Sequence, residues 1–177
     1  MATAATMTGA QFDALPYEEG RWWDLVRGEL IAVSSPTPRH QEIVFRILLA
    51  LRQYLGTKKG LAYSDVEFAL TDNDRLRPEV CALLGAKAAG LDLDHVPVPG
   101  APDIAVEVIS PTERASDSHD KVRSYLRNGT REVWQVYPKS LAVQIHRGEN
   151  SRLIEGADRI TSDVLPGFEL LIQSLLA

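Results

Sequence analysis

The chain is poor in the residues that build the commonest covalent and metal frameworks. It has one cysteine, Cys81, which excludes an internal disulfide scaffold and any multi-thiolate metal cage. Its other metal-binding candidates outside the carboxylates, His95, His119 and His146, show no ligand spacing with one another or with Cys81. There is no basic excess: 19 Lys and Arg against 24 Asp and Glu give a net charge of −5, so nucleic acid cannot be held by overall charge alone. No apolar run reaches the ~18 residues of a membrane span. The opening MATAATMTGAQ lacks the basic start and long apolar segment of a secretory signal. A soluble cytoplasmic protein without membrane contact is therefore expected. Phosphate-binding G-x-G-x-x-G and G-K-[ST] loops and the G-x-S-x-G nucleophile elbow are also missing.

What is present is enough apolar sequence for one core. At 177 residues the length suits a flexible terminus over 1–10 and a single domain over 11–177. Thr8 caps a short helix over Gln11 to Leu15, which Pro16 interrupts. Trp22 to Val26 and Glu29 to Val33, joined at Arg27-Gly28, read as a hairpin. After Ser34-Ser35-Pro36-Thr37-Pro38, the residues Ile43, Val44, Ile47, Leu48, Leu51 and Leu55 follow the spacing of one buried helix face. Strands are expected over Ala62 to Leu70, with Thr71 to Asp74 as its turn, and over Arg77 to Leu84. An irregular stretch follows from Gly85 to Gly100, with a short helix around Ala86 to Ala89. Asp103 to Ile109 is so apolar and β-branched that it suits a central strand covered on both faces. A helix capped by Asp117 or Ser118 runs to Asn128 and stops at Gly129. Strands then cover Glu132 to Tyr137, Leu141 to His146 and Arg152 to Glu155, and the apolar tail Phe168 to Leu176 docks on the core. Strands, helix, strands, helix, strands make an α/β or α+β fold with few helices.

Two acids interrupt the central strand. Asp103 and Glu107 share a face, but four residues at ~3.3 Å each part their Cα atoms by about 13 Å, too far to hold one ion together easily. Asp103, at the strand start beside Pro102, fits an acid capped by backbone amides or paired with an arginine. Glu107 lies among Ala105, Val106, Val108 and Ile109, so its desolvated carboxylate needs a cation, a metal or a set of donors. Glu79, in Pro78-Glu79-Val80-Cys81, repeats the setting. If its strand adjoins that of Glu107, the two carboxylates and water make an Mg²⁺ site; otherwise Glu79 is an exposed strand-edge acid. Lys121 lies on the following helix, one turn before Tyr125. From the residues alone it reads as a solvated lysine within His119-Asp120-Lys121-Val122-Arg123. His40, at the head of the apolar stripe, is either a catalytic or phosphate-binding group or a packed histidine donating one hydrogen bond. Trp22, Trp23 and Trp134 read as core or interface aromatics.

These segments, in order, resemble the Uma family of bacterial endonuclease-like proteins, within the PD-(D/E)XK restriction-endonuclease-like superfamily. The resemblance runs from about Phe12 to Leu176. It is carried by Asp24 to Leu30, Ser35-Pro36 through His40-Gln41, Arg77-Pro78-Glu79, and Pro102-Asp103 through Glu107 to Pro111. It continues through Lys121, Tyr125, Gly129 and Glu132-Val133-Trp134 to Val164 through Phe168. The resemblance implies a restriction-endonuclease-like core, a mixed β-sheet flanked by helices, with the N-terminal hairpin attached. It implies a metal-dependent DNA endonuclease using Mg²⁺ (or Mn²⁺). Glu79 would take the aspartate position of the motif, Glu107 the D/E position and Lys121 the lysine position, with the Val108 carbonyl as a further ligand; from the residues themselves, His40 stays a catalytic candidate and Asp103 a supporting one. A homodimer follows from the need to cut both strands. The chain departs from the motif at Glu79, longer than the usual aspartate, and at Ile109, where the lysine normally falls. Asp24 stands where the family often has glutamate, and Tyr137 where aspartate is common. These departures keep a second expectation open, a catalytically inactive binding or assembly module; a small-phosphoester hydrolase is a third. A DNA-binding face would draw on Arg39, Arg46, Lys58, Lys59, Arg114, Lys121, Arg123 and Arg127.

Overall fold

The computed structural model describes residues 6–56 and 60–175. Lys58, Lys59 and Leu176, used above, lie outside the described residues, as does the first half of the terminus expected to be flexible. Order begins before residue 11: Met7 N–H donates to the Gly28 carbonyl, and Thr8 closes a capping box with Gln11 on helix α1 (Gly9–Asp13).

Strands β1 (Trp22–Val26) and β2 (Glu29–Val33) form the expected hairpin. Its two-residue turn needs positive φ at both positions, and Arg27 (53°) and Gly28 (80°) supply it. Helix α2 (Pro38–Leu55) starts at Thr37, whose hydroxyl accepts from His40 N–H, with Pro38 in the first turn. The expected strand Ala62 to Leu70 is in fact two. β3 (Gly60–Ser64) and β4 (Phe68–Thr71) belong to different sheets, and the chain breaks between them at Asp65, φ 55°. Similarly, Arg77 to Leu84 divides: β5 (Asp74–Leu76) ends before Pro78, which cannot donate to a ladder, and β6 (Val80–Leu84) begins after Glu79. Helix α3 (Gly85–Ala89), β7 (Val98–Pro99) and β8 (Ile104–Val108) follow. Helix α4 (Ala115–Arg127) starts three residues before Ser118, so Asp117 lies in its first turn rather than at its cap. β9 (Glu132–Tyr137), β10 (Ala142–Arg147) and β11 (Asn150–Glu155) form a meander. The pair β12 (Arg159–Thr161) and β13 (Glu169–Leu171) and a 3₁₀ turn (Ile172–Leu175) complete the described chain.

The central sheet runs β11-β10-β9-β8-β6-β3 and is mixed: β8 and β9 are parallel, linked by α4 as the crossover such pairing requires, and the other pairs are antiparallel. One face of this sheet carries Val80, Ile104, Val106 and Trp134 against Ile43, Ile47 and Leu51 of α2. The other carries Cys81, Ala105 and Val133 against Val122 and Tyr125 of α4 and against the second sheet, β2-β1-β5-β4-β7, through Val26, Phe68 and Leu76. The fold is thus a mixed-sheet α+β core flanked by few helices, as the sequence indicates. β8 is buried at every position, Glu107 included.

Candidate active site

Register brings the two glutamates together. β6 pairs antiparallel with β8 as Val80↔Val106, so one step outward places Glu79 opposite Glu107. Residues opposed in this way hold their Cβ atoms about 5 Å apart on one face. The two carboxyls are close enough that each acts on the other's protonation. Glu79 also accepts from Val108 N–H at 3.1 Å. Side-chain exposure differs: Glu107 keeps 5% and Glu79 21%, so Glu79 is the carboxylate that meets the cleft.

Lys121 is not the solvated lysine its neighbours suggest. It is 9% exposed on the inner face of α4, its Nζ 2.6 Å from Asp24 Oδ2 and 3.7 Å from Glu107 Oε2. Tyr125, one turn on and buried, donates its hydroxyl to Glu107 Oε1 at 2.9 Å. Asp24, 2% exposed, also accepts from Arg77 N–H at 3.2 Å. Sequence reasoning gave Asp24 no role. The signal was available, since Asp24 is an acid inside Trp22-Trp23-Asp24-Leu25-Val26, the same anomaly that singled out Glu107.

His40 reaches the cluster from the start of α2. Its Nε2 lies 3.2 Å from the Val108 carbonyl and 3.3 Å from Glu79 Oε1. Both contacts of Nε2 are to oxygen acceptors, which favours the proton on Nε2, and buried Nδ1 has no partner among the described residues. His40 is thus placed as a donor to Glu79 and Val108. Asp103 is not brought to the cluster. It sits at the opposite end of β8, where its Oδ2 accepts from Leu84 N–H at 2.8 Å and its Oδ1 lies 3.7 Å from Lys87 Nζ, an acid capped at a strand start.

Desolvation dominates the electrostatics. Burial pushes the Glu79 carboxyl up to about 7 despite Lys121 and the Val108 N–H, and it pushes Glu107 well above the usual carboxylate range, with Glu79 and Asp24 adding repulsion. Burial alone would lower Lys121, but the carboxylates of Glu107 and Asp24 more than reverse it and hold the ammonium above its ordinary range. Burial lowers His40, partly offset by its bond to Val108.

The cluster opens into a cleft of about 590 Å³ walled by β2, the Ser34–Thr37 loop, the segment after β8 and Pro138-Lys139. Of the basic residues expected to form a nucleic-acid face, Arg39, Arg114 and Lys121 line this cleft, together with Lys139. Arg46 does not: it binds Glu42 at 2.6 Å and the Ser174 carbonyl at 2.6 Å. Arg123 and Arg127 border a separate hollow beside Asp120.

The sequence pattern of the Uma2 family, described as "Putative restriction endonuclease", matches residues 10–173. The chain belongs to the Uma2 family. Among curated proteins, none matches it. The crystal structure of "a putative nuclease belonging to DUF820" from Anabaena variabilis ATCC 29413 is similar, with a TM-score of 0.82 at 17% identity, covering 96% of this chain and 97% of that one. At that identity the likeness establishes a shared fold. Uma2 membership agrees with the restriction-endonuclease-like reading of the motif blocks.

The donors present fit a hard divalent cation. Glu79, Glu107 and the Val108 carbonyl offer oxygen donors of the kind Mg²⁺ takes, one or two carboxylates with water in its remaining positions. Among the described residues no three His, Cys, Asp or Glu side chains form a metal-binding group, so an ion held by the two glutamates would complete its shell with the Val108 carbonyl and water. Asp24, Glu79 and Glu107 crowd three carboxyls around the ammonium of Lys121, and a divalent cation bound there would displace the protons that burial holds on Glu79 and Glu107.

Proposed function

We propose that this Uma2 chain is a divalent-metal-dependent endonuclease that hydrolyses DNA phosphodiester bonds in the cleft. The observation that carries the reading is the cross-strand meeting of Glu79 and Glu107 beside a buried, charged Lys121. Mg²⁺ or Mn²⁺ held by Glu79, Glu107 and the Val108 carbonyl would supply Lewis-acid stabilisation and an activated water. The chain's own groups do the rest. Lys121, kept protonated by Asp24 and Glu107, is a fixed positive charge beside the position of the phosphate rather than a base. Tyr125 fixes the Glu107 carboxylate, and the His40 donor holds Glu79 against Val108. Arg39, Arg114 and Lys139 offset, at the cleft, the chain's net charge of −5 and give the phosphate backbone a place to lie. In the net reaction a hydroxyl from water joins phosphorus, the P–O bond to one sugar oxygen breaks, and that oxygen takes a proton.

One chain supplies every group named here, so the chemistry requires no second copy, and the two-fold assembly expected from sequence draws no support from the site. No helix among the described residues is long and apolar enough to cross a membrane. The test is cleavage of labelled DNA by the purified chain with Mg²⁺ or Mn²⁺, against Glu107→Gln. Activity that needs the metal and drops by at least about 100-fold in the variant, the size of effect expected when charge stabilisation is lost, supports the reading. Cleavage indifferent to the substitution refutes it.

A further inference from the structure

Resting on that nuclease reading, we propose that the cleft takes an unpaired DNA strand, as in a flap, a bubble or a frayed end, in preference to intact duplex. One base lies against the apolar edge strand β2, and the adjoining phosphate descends to Glu79. Three features of the site carry this.

The first is depth. Lys121 and Glu107 are 9% and 5% exposed and Glu79 only 21%, so a reacting phosphate must reach the floor of the hollow. At about 590 Å³ the hollow has the size of pockets that enclose small molecules. Duplex DNA is a stiff rod with a persistence length of about 50 nm, and its phosphates lie on the outside of that rod. A single strand turns at every nucleotide and can enter.

The second is the wall. Among the described residues β2 is the outer strand of its sheet and pairs only with β1. It presents Leu30 at 39% and Val33 at 38% exposure to solvent, beside partly covered Ile31, and the lining continues through Pro36 and Pro111. A lining that is mostly apolar with a few placed polar groups is the usual make-up of a ligand cleft. The phosphate exterior of a duplex has nothing apolar to cover it, whereas an unpaired base does.

The third is charge. Arg39, Arg114 and Lys139 line the same hollow, whose rim also carries the acids Glu113 and Asp117, and among the described residues none of these three basic side chains forms an ion pair. A basic track beside a surface for bases is how single strands are held without sequence preference.

The experiment compares one labelled sequence as single strand, as duplex and as duplex with a short unpaired bubble, using the full chain with Mn²⁺. The expected kcat/KM is at least 10-fold higher on the single strand, with bubble cuts confined to the unpaired segment. Duplex cut as fast as single strand overturns the inference and leaves the nuclease reading standing; no cleavage of any substrate removes that reading and the inference with it. Fluorescence anisotropy with Glu107→Gln gives an independent measure, with single strand expected to bind about 10-fold more tightly than duplex. Leu30→Glu/Val33→Glu, on exposed positions, is expected to weaken single-strand binding about 10-fold at unchanged Tm, while Leu30→Met retains it. Full affinity in the double variant overturns the placement of the base on β2.

Discussion

Glu79 is expected to make the stability of the metal-free protein depend on pH. Its carboxyl is pushed from an ordinary 4.5 to about 7, chiefly by burial. A carboxyl that holds its proton more tightly folded than unfolded contributes stability that is fully present below about pH 4.5 and is lost as pH rises through about 7. At 1.36 kcal/mol per pKa unit this amounts to about 3 kcal/mol between those limits. Because Glu79 keeps 21% side-chain exposure, that figure is an upper one. For a chain of this size about 1 kcal/mol moves Tm by roughly 2–4 °C, so the effect is on the order of 5–10 °C. The assay is thermal unfolding from pH 5 to 8 with chelator, for the wild type and for Glu79→Gln, which keeps an acceptor for His40 and removes the titration. The wild type should lose several degrees more than the variant over this range. Saturating Mn²⁺ should restore wild-type Tm above pH 7 and leave the variant nearly unmoved, because the ion binds the deprotonated ligands and displaces the proton they hold. Equal pH slopes in the two proteins, or Mn²⁺ stabilising both alike, would refute the reasoning.

Lys121→Met removes the one ammonium among Asp24, Glu79 and Glu107; breaking a buried ion pair should cost about 3–5 kcal/mol. The loss, read by chemical denaturation, should be larger at pH 8 than at pH 5, where Glu79 and Glu107 take up protons. Asp103→Asn weakens the carboxylate contacts to Leu84 N–H and Lys87 and should cost about 1–2 kcal/mol. Calorimetric Mn²⁺ titration of that variant should match the wild type, since Asp103 lies at the far end of β8 from the cluster; a clear loss of affinity would place it in the site after all.

The central strand, the α2 stripe, the hairpin and the α4 crossover were legible because periodicity and turn chemistry are local properties. The break at Asp65, with β3 and β4 in separate sheets, was not: two short apolar runs joined by Ser64-Asp65-Val66-Glu67 carry the same composition as one longer strand. Only the demand of two sheets for Tyr63 and Phe68 separates them.

The sequence by itself determined that Glu107 needed a partner, because a carboxylate among Ala105, Val106, Val108 and Ile109 pays desolvation wherever the strand packs. It also set Glu79 next to Pro78, at the start of a strand. Only the tertiary structure decided who the partners are. The pairing of Val80 with Val106 sets Glu79 opposite Glu107, and the packing of α4 under the hairpin turns Lys121 inward onto Asp24, 97 positions away. Cross-strand register and helix rotation are set by the burial of the whole core, and no window of sequence around Lys121 or Asp24 contains that information.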